Sequence, residues 1–101
     1  MTASSVLVVD DEADIRSLVG DILEDEGYQV RLAADATEAR QALRERRPDL
    51  ILLDIWMPDT DGITLLKEWS QDGLPCPVVI ISGHGNVEAA VEATHLGAYD
   101  F

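Results

Sequence analysis

The 101 residues carry 20 acidic and 7 basic side chains, a formal net charge of −13, and 47% of them are hydrophobic. That is enough apolar chain for one small domain and argues against wholesale disorder. So acidic a surface repels phosphate backbones and anionic lipids, which argues against nucleic-acid or membrane binding by this segment. No apolar run approaches the roughly 18 residues needed to span a bilayer. The N-terminus offers no Lys or Arg before its first apolar run, so no secretory signal is expected. The single cysteine, Cys76, has no internal disulfide partner, and a reducing, cytoplasmic setting is expected.

Residues 6–9 are a β-branched, apolar run that ends in Asp10, Asp11 and Glu12. This pattern predicts a buried strand with acids at its C-terminal end. Ile15, Leu18, Val19, Ile22 and Leu23 then recur at helical spacing and predict an amphipathic helix stopped by Gly27. A second strand is predicted over 28–33. Asp35 and Glu38 have the spacing of a capping box for a second helix, which runs to about Arg47 before Pro48 breaks it. Residues 50–53 predict a third strand, again ending in an acid, Asp54. Turn chemistry follows over 57–62, then a short helix with Ile63, Leu66 and Trp69 on its apolar face. Two prolines flank Cys76 before a fourth strand over 78–81. Beyond a Ser82-Gly83-His84-Gly85 loop, Asn86 caps a further helix that ends near Leu96, and residues 98–101 approach a fifth strand.

Alternating strands and helices imply an α/β fold, a doubly wound parallel sheet with helices on both faces. Ligands of such sheets sit at the C-terminal strand ends, so Asp10, Asp11 and Asp54 are expected to converge in one crevice. Carboxylates that close repel one another unless a cation intervenes, and Mg²⁺ suits a site of a few carboxylates and water. The ion would also neutralise a phosphoryl group arriving at Asp54, and a carboxylate is an established phosphoryl acceptor. The plainer alternative is that the acids are solvated strand ends. Ser82 stands at the end of the fourth strand as a possible donor to a phosphoryl oxygen or as a simple turn residue. His84 reads as a surface loop residue, and Cys76 as a packing residue with no base to activate it. Asp59, Asp61, Gly62 and Glu68 match part of a calcium loop, but Met57 stands at its first ligand position and a strand precedes it where a helix is needed. A haloacid-dehalogenase-like phosphatase would need a second Asp after Asp54, and Asp54-Ile55-Trp56 has none.

The segments VLVVDDE, LILLDIWMPDTDG, VVIISGHGN and GAYDF, in this order, resemble the receiver domain of two-component response regulators of the nitrogen-regulation type. The resemblance covers nearly the whole chain, 1–101, and implies the flavodoxin-like strand order 2-1-3-4-5. It implies that Asp54 accepts a phosphoryl group from a sensor histidine kinase. It implies that Asp11, Asp54 and the backbone carbonyl of Trp56 ligate Mg²⁺, with Asp10 acting through water. Ser82 takes the place of the switch hydroxyl and Phe101 that of the switch aromatic. The family carries a Lys-Pro pair shortly after that aromatic, which this sequence does not reach. The chain is therefore expected to be a receiver domain incomplete at its C-terminus, with strand five and helix five largely missing. Its expected role is a signalling switch controlling its own output domain, an ATPase with a DNA-binding transcription regulator, and not an enzyme beyond its own phosphorylation and dephosphorylation. The rivals are an aspartyl-phosphate phosphatase and a degenerate receiver serving only as a dimerisation module. A homodimer is expected to cover the face over strands one and three, or the edge of strand four.

Overall fold

The computed structural model describes residues 4–54, 62–71, 73 and 76–80. Four parallel strands, β1 (Ser5–Val9), β2 (Gln29–Ala33), β3 (Leu50–Leu53) and β4 (Val78–Ile80), form one sheet in the order β2-β1-β3-β4. Helices α1 (Ala13–Asp25), α2 (Ala36–Glu45) and α3 (Gly62–Gln71) alternate with them. This is the doubly wound order expected for strands one to four. The predicted fourth helix and fifth strand lie outside the described residues.

Registers place Leu7 beside Ile51 and Val9 beside Leu53, with Ile51 and Leu53 in turn beside Val78 and Ile80. These six side chains share one face of the pleat. They form a continuous core with Ala36, Ala39 and Ala42 of α2 and Leu65, Leu66 and Trp69 of α3. The alanines let α2 lie close to the sheet, because a helix approaches as near as its contact side chains allow. On the opposite face Val6 and Val8 are buried, but Leu50, Leu52 and Val79 are only partly covered. Leu32 of β2, on the same face, is 47% exposed, so among the described residues the less covered positions lie on β2, β3 and β4 and do not include β1.

Helix α1 corrects the periodicity argument. The side that packs is marked by Val19, Gly20 and Leu23, whereas Ile15, Leu18 and Ile22 are exposed, Leu18 at 58%. Gly20 faces β2, where a Cβ would lie 3.3 Å from Leu32 Cδ2 and 3.7 Å from Val30 Cγ1, so α1 lies close against the strand at this position. The apolar stripe of α1 is thus split between the sheet and solvent. The helix ends as the sequence predicts. Gly27 has φ 93°, its amide donates to the Glu24 carbonyl and the Tyr28 amide donates to the Leu23 carbonyl. That pair of bonds is a Schellman closure, which requires a left-handed residue. It also draws Tyr28 into the turn, so β2 begins at Gln29 and not at 28.

At the start of α2, the Asp35 carboxylate accepts from the Glu38 amide at 2.8 Å. Glu38 reaches back one residue further than a standard capping box, to the Ala34 amide at 2.7 Å. The helix stops at Glu45, short of the predicted Arg47, and Arg46 is extended. Pro48 disfavours helical backbone at the residue before it, and Arg31 of β2 adds a second bond to a carbonyl of the last turn, donating to Ala42 O, which also accepts from the Arg46 amide, at 3.0 Å and to Glu45 at 2.6 Å. Ile81, predicted to close the fourth strand, lies outside the described residues.

Candidate metal and phosphoryl site

Asp10 and Asp54 stand one residue past the paired ends of β1 and β3. The ladder continues just far enough to hold them. The Asp54 amide donates to Val9 O at 2.9 Å, and the Asp10 amide to Ala33 O at 3.1 Å. Strands β1 and β3 are adjacent and parallel, so acids at their C-terminal ends must emerge together. One carboxylate oxygen from each of Asp10, Asp11 and Asp54 lies within 4.8 Å of the others. Asp10 is 4% exposed and Asp54 7%, while Asp11 is more open. The convergence expected from the sequence is thus present.

Three carboxylates at this spacing, two of them buried, make an all-oxygen donor set suited to a hard divalent cation. The donor chemistry fits Mg²⁺, which is commonly held by one or two carboxylates and retains several waters. Trp56, Ser82 and Phe101 lie outside the described residues, as do His84, Asp59 and Asp61. The calcium-loop alternative loses its required entry helix, because β3 occupies 50–53.

The loop between β1 and α1 is organised by Asp10. Its Oδ1 accepts from the Glu12 amide at 2.8 Å, which satisfies the N–H of the residue that caps α1. Its carbonyl accepts from Arg16 Nη1 at 2.7 Å. Periodicity arguments pass over Arg16, yet the sequence carries a signal for it. It is the only cation between Ser5 and Val30, and it sits in the first turn of a helix, where the macrodipole favours acids over bases. At the far end of the sheet, Asp49 is a residue for which the sequence carries no comparable signal. Its carboxylate accepts from the Ser5 amide at 2.7 Å and its own amide donates to Ser5 O at 2.7 Å, aligning the starts of β1 and β3.

Cys76 is half-buried beside the sheet core. Burial pushes its thiol up to about 11, against a smaller lowering by Arg47. It is a packing residue, as the sequence indicates, and lies apart from the acids.

A sheet of this order with an acid cluster at its C-terminal edge defines a class, and comparison with known proteins agrees. The model of the response regulator receiver domain matches residues 6–101. The chain belongs to the response regulator receiver domain family. It is similar to the nitrogen assimilation regulatory protein NtrX of Azorhizobium caulinodans, at 52% identity over 98% of this chain and 22% of that protein. It is 38% identical to the DNA-binding transcriptional regulator NtrC of Proteus hauseri, over 100% of this chain and 21% of that protein. Among solved structures, the receiver domain of NtrX from Brucella abortus superposes with a TM-score of 0.88 at 53% identity, covering 95% of this chain and 82% of that one. The chain therefore spans less than a quarter of the length of these two curated relatives. Among the described residues, no helix is long and apolar enough to cross a membrane.

Proposed function

We propose that this chain is the phospho-accepting switch of a two-component system and that Asp54 takes its phosphoryl group from a sensor histidine kinase. The observation that carries this reading is the meeting of Asp54 with Asp10 and Asp11 at the sheet edge in a chain of the receiver family. In the reaction, a carboxylate oxygen of Asp54 bonds to phosphorus as the donor's N–P bond breaks, and the electron pair of that bond stays on the donor imidazole. Asp11, Asp54 and the Trp56 backbone carbonyl would hold Mg²⁺, with Asp10 acting through water. When bound, the ion supplies positive charge opposite the phosphoryl oxygens. Ser82 donates its hydroxyl to a phosphoryl oxygen and the Phe101 ring follows that movement.

Residues 1–101 belong, on this reading, to one cytoplasmic receiver domain of a longer regulator. Its remainder is an output domain, an ATPase with a DNA-binding element, that the receiver controls. The relatives' roles as a nitrogen assimilation regulatory protein and a DNA-binding transcriptional regulator support the DNA-binding part of that assignment, and the small share of their length that this chain spans supports a longer regulator. A homodimer is supported by the exposed Ile15, Leu18 and Ile22 of α1. The protein catalyses no turnover beyond its own phosphorylation and dephosphorylation. Incubation with acetyl phosphate and Mg²⁺ tests this reading. Uptake of one phosphoryl group per chain, followed by slow loss, is expected. Continuous release of phosphate over many cycles would instead identify a phosphatase with an aspartyl-phosphate intermediate.

A further inference from the structure

We propose that Arg16 is a positioning residue for the cation site and that it tunes the site toward Mg²⁺ by fixing the peptide between Asp10 and Asp11. The inference rests on the reading of the acid cluster as a Mg²⁺ site.

That peptide begins at the Asp10 carbonyl and sets the direction in which Asp11 leaves the sheet. The β1 ladder ends at Val9, so the Asp10 carbonyl lies beyond it. Arg16 supplies the donor, from α1, at 2.7 Å. With the Asp10 amide held by Ala33 and its Oδ1 held by the Glu12 amide, the residue is fixed through its amide, its carbonyl and its side chain. Only the carbonyl contact depends on a side chain outside the acid cluster. Arg16 also stands where the helix dipole disfavours a cation, in a stretch otherwise populated by acids. Its position makes physical sense through the bond that it donates.

Mg²⁺ demands near-ideal octahedral geometry, whereas Ca²⁺ accepts longer and more varied oxygen positions. A residue that fixes a ligand-bearing peptide should therefore matter more to Mg²⁺ than to Ca²⁺. A residue that acts only through its positive charge repels both ions, and its removal strengthens both. A residue that only stabilises the fold leaves the ratio of the two affinities unchanged in the folded protein.

The test is calorimetric titration of the chain with Mg²⁺ and, separately, Ca²⁺, on the native protein, Arg16→Met, Arg16→Gln and Asp54→Asn. Arg16→Met keeps much of the apolar stem and removes the donor. It should weaken Mg²⁺ binding by about tenfold, as loss of a residue supporting a metal ligand does, and Ca²⁺ binding by clearly less. Arg16→Gln retains an N–H donor without the charge and should recover a substantial part of the Mg²⁺ preference. The two ions changing in equal proportion in both Arg16 variants, or both binding more tightly, would overturn the role of Arg16. In that case a loss of Mg²⁺ binding in Asp54→Asn would leave the acid site itself standing. If the native chain shows no saturable Mg²⁺ binding, or Asp54→Asn binds as well as native, the site and the inference both fall.

Discussion

The two buried acids, Asp10 and Asp54, show how a single position can serve fold and site together. Asp10 is 4% exposed, and burying a carboxylate is costly unless its oxygens find partners. One oxygen has the Glu12 amide, and the residue shares the edge of the sheet with Asp54 and Asp11. Cys76 contrasts with both. Desolvation raises its thiol from an ordinary 9.0 to about 11, so the reactive thiolate is on the order of a hundredfold rarer at neutral pH than in the unfolded chain. Iodoacetamide should therefore alkylate the native protein far more slowly than the urea-unfolded protein, and equal rates would mean that the thiol is not desolvated. On the outer surface, Arg40 grips Glu68 with two bonds, at 2.9 and 2.7 Å, joining α2 to α3. The hydrogen bond from Arg40 lowers the Glu68 carboxyl below its usual 4.5. The folded state thus binds this proton less readily than the unfolded state. The stabilisation is fully present above pH 4.5 and is lost as pH falls through the lower folded value. Both side chains are substantially solvated, so Glu68→Gln should cost only about 0.2–1 kcal/mol at neutral pH. Urea titrations at neutral pH and below pH 4 should show that difference shrinking on acidification. A difference that persists in acid would assign the effect to packing instead.

At the scale of elements, α1 and α2 meet the sheet by different devices. Helix α2 presents Ala36, Ala39 and Ala42 along one face and is anchored at its start by Asp35. Helix α1 presents Gly20, which brings its backbone against Leu32 and Val30. Glycine in a helix interior is less favourable than alanine by about 0.8–1.0 kcal/mol. The atom closest to an added Cβ, Leu32 Cδ2 at 3.3 Å, is the end of a half-exposed side chain free to turn aside. Gly20→Ala is therefore expected to raise the urea midpoint without changing the slope of the transition. A lowered midpoint would mean that the approach of α1 to β2 has no room to relax. Much of this layer was legible in advance. The strand runs before Asp10 and Asp54, the Asp35–Glu38 cap and the Gly27 stop all follow from local chemistry, and each is present in the structure. The side on which α1 packs was not legible, because an apolar stripe indicates which residues prefer burial but not which of them a neighbouring strand reaches. The buried position, Gly20, has no apolar side chain to mark it, and in sequence a glycine inside a helix registers only as a propensity penalty. The end of α2 was overextended for a similar reason. Pro48 marks a limit, while the helix stops at Glu45, three residues before it, where Arg31 of another element binds the last turn.

For the whole molecule, the sheet is covered unequally. The α2–α3 side forms the core, and the α1 side leaves Leu18 at 58% and Ile22 at 54% exposure, with Leu32 at 47%. Exposed large apolar side chains of this kind favour association, and a two-fold pairing would cover them reciprocally. Sedimentation equilibrium at micromolar concentration should show self-association that Leu18→Glu weakens. A native monomer would remove this support for a homodimer. The acid cluster was the most legible part of the molecule. Parallel order and strand-end acids together require Asp10 and Asp54 to meet, and neither depends on distant side chains. Arg16 was legible only as an isolated cation in an acidic stretch, since its bond to a backbone carbonyl leaves no spacing rule behind, and Asp49 not at all. The proposed switch depends on Asp54 as its phosphoryl acceptor. The most direct measurement is the intact mass of the native protein and of Asp54→Asn after incubation with acetyl phosphate and Mg²⁺. The native chain should gain the mass of one phosphoryl group and Asp54→Asn none. Equal uptake by the two proteins would contradict the assignment of Asp54.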